Sequence, residues 1–212
     1  MRIIFVLLFA IFANAAYIAN ITSVNGLNIG LNKNIQKGVS GIVLCPYENE
    51  NIICARAISF GDYAKLYAYS DLKNEAFALP LVYPKKGDKV IFGKDYGRIM
   101  IIAPNQADYL RLKNRFKDFT IIPVDVFAAF LKDLPKRSDF INFARKLNIG
   151  LYIFALGDKI YYVDSFSFYV IGKESFKLNK KFKIPFYSSY NFHLKAKNII
   201  NYYKKMLRGL ND

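Results

Sequence analysis

Asp125, Asp139, Asp164, His193 and the pair Cys45 and Cys54 are the side chains whose types could direct chemistry in this chain. Two carboxylates held close together can divide acid and base roles between them. Asp125 and Asp139, however, each open a helical pattern, where a carboxylate serves exposed backbone amides. Asp164 falls in a turn between apolar runs. His193 is the sole histidine, and nothing around it marks a triad; it belongs to the start of the last helix. One histidine far from two cysteines also falls short of a zinc ligand set. The loop Gly93-Lys94-Asp95-Tyr96-Gly97-Arg98 has the wrong spacing for a phosphate cradle and precedes a strand, not a helix. No catalytic, cofactor-binding or metal-binding residues are expected, and the chain reads as non-enzymatic.

The cysteines flank a hairpin signal, LCPYENENIIC. Pairing about Asn49-Glu50 sets Cys45 and Cys54 opposite each other. Two states are open to them. One is a disulfide, which an oxidising compartment favours and which contributes about 2–3 kcal/mol for so short a loop. The other is two reduced, half-buried thiols.

The compartment is suggested by the first residues. Arg2 supplies a positive start, Ile3 to Phe12 is unbroken and apolar, and Ala13-Asn14-Ala15 has the small-x-small form of a cleavage site. That run is well short of the roughly 20 residues a spanning helix needs, so residues 1–16 read as a signal peptide. An exported protein in the periplasm or on the outer cell surface is expected. The formal net charge is +15, from 31 basic against 16 acidic residues. Export removes most nucleic acid from reach, which leaves anionic envelope polymers, lipid headgroups or acidic protein surfaces as counterparts for a basic protein; a generally Lys-rich surface with no dedicated partner is the alternative.

The elements divide into two characters. Residues 17–92 form a β-rich domain of short strands at Ala19–Val24, Leu27–Leu31, Gly41–Tyr47, Asn51–Phe60, Ala64–Tyr69 and Lys89–Phe92. Turn signals separate them at Asn25-Gly26, Asn32–Asn34, Gly38, Gly61-Asp62 and Lys86-Gly87-Asp88. Such spacing predicts a small barrel or sandwich, not a parallel sheet, with a barrel-like domain the one expected. Residues 98–176 form an α/β domain that opens on a βαβα unit, Arg98 to Leu131. Ile99 to Ala103 is a strand buried on both faces, Asn105 caps a helix, and Phe119–Ile122 is a second strand. Pro123 and Asp125 open the next helix. Ser138 caps another, with Phe140, Phe143, Ala144 and Leu147 at i, i+3, i+4 and i+7. Strands Leu151–Leu156, Lys159–Val163 and Phe166–Ile171 follow. Residues 177–212 are a basic loop and a helix of roughly Leu194–Arg208, capped by Asn191. That helix gathers Ala196, Ile199, Ile200, Tyr203, Met206 and Leu207 on one side and Lys197, Lys204, Lys205 and Arg208 on another. It either docks its apolar stripe on the domain or makes peripheral contact with an anionic membrane. The fold class expected is α+β.

Several pieces carry a resemblance: Gly38-Val39-Ser40-Gly41-Ile42-Val43, Ala55-Arg56-Ala57, Ala78-Leu79-Pro80, Gly87 to Phe92, Ile101-Ile102-Ala103-Pro104-Asn105, Asp125 to Leu131, and Asp139-Phe140. In this order they resemble the N-terminal domain of the plasminogen-binding proteins of spiral, flagellated gut bacteria, from about Ala19 to Phe176. The resemblance implies an exported protein that binds host plasminogen through lysines recognised by lysine-binding kringle modules. The sequence ends Leu210-Asn211-Asp212, so the expected carriers are internal lysines: Lys180, Lys181, Lys204 and Lys205. In outline, the order of elements is also similar to periplasmic accessory proteins of flagellar basal bodies and other envelope assemblies, an analogy of fold alone.

Overall fold

The computed structural model describes residues 16–69, 82–178, 185–189 and 198–210. The first fifteen residues of the expected signal peptide, together with Ala78-Leu79-Pro80, Asn191 and Leu194 to Lys197, lie outside the described residues. The chain falls into two compact units, Met1–Lys94 and Asp95–Asp212.

The first unit consists of β1 (Tyr17–Asn25), β2 (Asn28–Ile35), β3 (Ser40–Tyr47), β4 (Glu50–Ser59), β5 (Gly61–Tyr67) and β6 (Lys89–Phe92). They form a closed barrel in the order β1-β2-β5-β4-β3-β6, as the spacing of short strands predicts. Closure depends on β6, which pairs antiparallel with β1 on one side and β3 on the other. Residues facing each other across strands share a face, and register therefore identifies the interior. Ala19, Val90, Val43 and Ala55 form one buried level, and Phe92, Gly41, Ala57 and Leu66 another. Gly41 makes room for Phe92: a Cβ there would sit 2.6 Å from the Ile91 carbonyl oxygen and 2.9 Å from the Phe92 ring. A glycine at such a point lets two backbones approach closely.

Cys45 and Cys54 are joined as a disulfide, with their Cα atoms 5.8 Å apart. The hairpin differs in detail from the expected one. Its turn is Glu48-Asn49, with Glu48 at a φ of 52°, so Tyr47 pairs with Glu50 and Cys45 with Ile52. The register then shifts between Val43 and Leu44. A bulge absorbs the extra residue of β4, which is Cys54, and turns its sulfur toward Cys45.

The second unit contains β7 (Arg98–Ile102), α1 (Gln106–Arg115), β8 (Thr120–Ile121), α2 (Val124–Phe130), α3 (Arg137–Leu147), β9 (Leu151–Leu156), β10 (Lys159–Asp164), β11 (Val170–Ser175) and α4 (Ile199–Met206). The sheet order is β11-β10-β9-β7-β8. β7 runs parallel to both β8 and β9, and the β9-β10-β11 meander is antiparallel. The α+β class, with a barrel first and a helix last, is the one the sequence predicts.

Both faces of this sheet are covered. Met100, Ile102, Tyr152, Phe154, Tyr161 and Val163 point to one face, where Phe127, Phe140, Phe143, Ile199 and Tyr203 from α2, α3 and α4 pack with them. On the opposite face α1 lays Phe116 edge-on against Tyr162, ring centroids 6.1 Å apart. Arg115 pairs with Glu174 at 2.6 Å, and Glu174 accepts the Tyr162 hydroxyl at 2.7 Å.

Local capping follows the sequence in α1, where Asn105 Oδ1 accepts the Asp108 amide at 3.0 Å. It departs from it in α3. The N-cap there is Lys136, not Ser138, because the Asp139 carboxylate three residues on accepts the Lys136 amide at 2.7 Å. The third strand of the meander also starts later than Phe166. Asp164 Oδ1 accepts the amides of Phe166 and Ser167 at 3.1 and 2.7 Å, which curls the chain into a turn with Phe168 at a φ of 60°. Regular pairing resumes only at Val170.

Two outcomes follow from the covalent and aromatic cores. Cys54→Ser removes a cross-link of sequence separation 9, and thermal or urea unfolding should show a loss of about 2–3 kcal/mol. Burial raises the ionisation of Tyr152 and Tyr203 well above the ordinary 10.0. At Tyr162 burial acts first and the Glu174 carboxylate adds to it, with Arg115 opposing. Neutral tyrosine is therefore the folded form. Stability should be intact below pH 10 and fall as pH rises beyond it, where the unfolded chain alone loses these protons. Melting temperature followed with tyrosinate absorbance should show both changing together.

Candidate functional site

The carboxylates singled out in the sequence, Asp125, Asp139 and Asp164, all hold backbone or hydroxyl groups of the fold. Asp164 is completely buried. Its Oδ2 accepts the Tyr96 hydroxyl at 2.7 Å while Oδ1 holds the turn amides. A carboxylate so fully hydrogen-bonded is an anchor, since removing its partners would leave a buried polar group. Beside it, Gly150 passes so close to Asp95 that a Cβ would lie 2.1 Å from the Asp95 carbonyl oxygen.

Asp125 does more than start a helix. Its Oδ1 accepts the Ser188 hydroxyl at 2.5 Å and the Ser189 amide at 2.6 Å, and its Oδ2 accepts the Ser189 hydroxyl at 2.8 Å. The location matters. In open α/β sheets, ligands enter outside the carboxyl ends of the strands, where neighbouring strands send their helices to opposite faces. β7 and β8 meet that description, since α1 and α2 lie on opposite faces. Here the crevice is occupied by the chain itself. The Tyr187 amide donates to the Ala103 carbonyl at 2.7 Å, the Tyr187 and Tyr109 rings lie 5.5 Å apart, and Phe186 stacks on Phe127 with centroids 5.8 Å apart. Burial first, then the Asp125 charge and Tyr187, raise the Tyr109 pKa above the ordinary value.

The last helix is locked down by its own apolar stripe. Ile199, Tyr203 and Met206 are buried in the second unit's core. Arg137, at the start of α3, donates from Nε to the Met206 carbonyl at 2.9 Å and from Nη2 to the same oxygen. A cation at a helix C-terminus suits the dipole. Burial, and then the charge of Arg208, lower the Arg137 ionisation. The Tyr202 hydroxyl donates to the Pro135 carbonyl at 3.0 Å. In its described turns the helix docks its apolar stripe on the domain.

Lys204 and Lys205 lie exposed on the outer side of α4. Lys180, Lys181 and His193 lie outside the described residues. Among the described residues no group of three or more His, Cys, Asp and Glu is arranged to hold a metal ion, and no helix is long and apolar enough to cross a membrane. Sequence reasoning missed the Arg137–Met206 clamp and the contacts of Asp125 with Ser188 and Ser189. These partners are more than sixty residues apart, and no local pattern announces them.

Geometry defines the class first: a closed antiparallel barrel, then a doubly covered α/β sheet whose strand-end crevice is filled from within. The chain belongs to the family described as plasminogen-binding protein pgbA N-terminal, whose pattern it matches over residues 16–205. It is similar to the plasminogen-binding protein PgbA of Helicobacter pylori, at 26% identity over 119 residues, covering 56% of this chain and 25% of that protein. The match thus spans about a quarter of that relative's length. No solved structure matches.

The Asp125 contacts generate a test. Asp125→Ala should cost roughly 1–3 kcal/mol by stranding its hydroxyl and amide partners. It should also speed hydrogen exchange at the Tyr187 and Ser189 amides. Asp125→Asn, which keeps the Oδ1 acceptor, should recover most of both.

Proposed function

We propose that this chain is an exported, non-enzymatic binding protein that engages plasminogen through surface lysines. Membership of the plasminogen-binding family carries the proposal. Lys204 and Lys205 support it, because they project from a helix whose opposite face is fixed in the core. A lysine presented on a rigid support loses less freedom on capture than one on a free tail. Lys180 and Lys181 belong to the same proposal as sequence-level candidates. Filling of the strand-end crevice by residues 185–189 favours recognition by outward side chains over chemistry in a cleft. The disulfide suits an oxidising compartment, in line with export to the periplasm or the outer surface. Protein, not nucleic acid, is the partner in this proposal.

The test is plasminogen binding by the mature chain, with and without a lysine analogue. Binding should be competed by the analogue. Lys204→Ala with Lys205→Ala should weaken it roughly ten-fold or more, the usual scale for losing charged hydrogen bonds, with stability unchanged within about 0.5 kcal/mol. Binding that is absent, or indifferent to the analogue, overturns the proposal. Protection from protease on intact cells would then favour a periplasmic scaffold in a flagellar or envelope assembly.

A further inference from the structure

Two basic stretches distant in sequence, Lys136-Arg137 and Lys204-Lys205-Met206-Leu207-Arg208, are brought together where α3 begins and α4 ends. We propose that this junction is a docking surface for the phosphate headgroups of an anionic bilayer. It goes beyond plasminogen binding and does not depend on it.

The fold concentrates cationic charge at this junction. Among the described residues no carboxylate forms an ion pair with Arg137 or Arg208. Two acids are close by in sequence: Asp139 is engaged with the Lys136 amide at 2.7 Å, and Asp133 makes no ion pair with either arginine. The two guanidiniums stand near enough for Arg208 to disfavour the charge on Arg137. Bringing like charges together is costly, and a bound anion relieves that cost. Lys136, Lys204, Lys205 and Arg208 are all exposed at this junction.

The arginines are also held ready. Arg137 Cζ lies 5.9 Å from the Phe168 ring centre, and its Nε and Nη2 are fixed on the Met206 carbonyl. Its Nη1 has no protein partner among the described residues. Arg208 Cζ lies 5.9 Å from the Tyr169 ring, with Nη1 3.5 Å from the Ser167 carbonyl. A planar guanidinium held this way matches a phosphate through paired donors.

A bilayer fits better than a free oxyanion because the cations lie over exposed helix ends beside two half-buried tyrosines, Tyr169 and Tyr202. Tyrosine flanked by cations suits headgroup depth. Insertion plays no part, since the α4 stripe is buried. Attraction to anionic lipid is then additive over the cations and screened by salt.

The test uses the full mature chain in co-sedimentation with phosphatidylglycerol-containing vesicles, with phosphatidylcholine vesicles alongside. Binding is expected only to the anionic vesicles and should fall as salt rises. Arg208→Gln and Lys136→Gln should each weaken it roughly five-fold, with folding checked by circular dichroism. Lys204→Arg with Lys205→Arg keeps the charge and should leave vesicle binding intact while weakening capture by a lysine-binding module, so the two functional proposals fail separately. Equal binding by Arg208→Gln and the parent overturns the proposal. So does binding to phosphatidylcholine alone. Thermal stabilisation by inorganic phosphate without vesicle binding assigns the surface to a free oxyanion instead, and heparin binding without vesicle binding assigns it to an extended polyanion.

Discussion

Every residue from Ile99 to Ile102 and from Leu151 to Leu156 is buried, and strands that bury both faces must be covered twice. This constraint organises the second unit. One coat is a single helix, α1, which adds an ion pair and an aromatic edge contact to its apolar face. The other coat needs three helices, and the third, α4, comes from the far end of the chain. Aromatic rings fill the space between. Phe140 alone meets Tyr152, Phe154, Phe168 and Tyr203 at centroid distances of 5.2 to 6.3 Å. The Tyr152 hydroxyl reaches the Phe140 carbonyl at 2.6 Å, so a polar group in this apolar layer is satisfied without water.

The barrel meets a different constraint by a different route. A strand edge left open is a template for pairing with other chains. Six short strands remove their edges by closing, and the shortest of the later ones, β6, completes the ring. The geometry depends on small residues where backbones converge, Gly41 above all, and on a bulge that places Cys54 within reach of Cys45.

Much of this was legible from local pattern. The run Ile99–Ala103, the Asn105 cap and the i, i+3, i+4 spacing of Phe140, Phe143 and Ala144 name their own elements, because one element supplies the whole signal. The closely spaced short strands likewise announced a barrel. What escaped was contact between distant segments. Asp164 was visible as a turn residue, but not as the acceptor of the Tyr96 hydroxyl; Asp125 was visible as a helix start, but not as the acceptor for Ser188 and Ser189. The Cys45–Cys54 hairpin was off by one residue because a bulge leaves no mark in composition. At the functional surface, Lys204 and Lys205 were readable as a basic face, whereas the meeting of Lys136-Arg137 with Arg208 required the folded chain.

The return of α4 to the sheet also bears on the order of events at birth. Ribosomes deliver the chain from its first residue, and the carbonyl that Arg137 grips, on Met206, emerges 69 residues after Arg137 itself. Until then Phe140, Phe154 and Phe168 lack one wall of their enclosure. The barrel holds all its strands early and can close by itself during synthesis. The second unit can finish only once α4 has emerged. A chain handed to a translocation channel while still being made would therefore pass with its larger aromatic core unassembled, and that core would set on the far side.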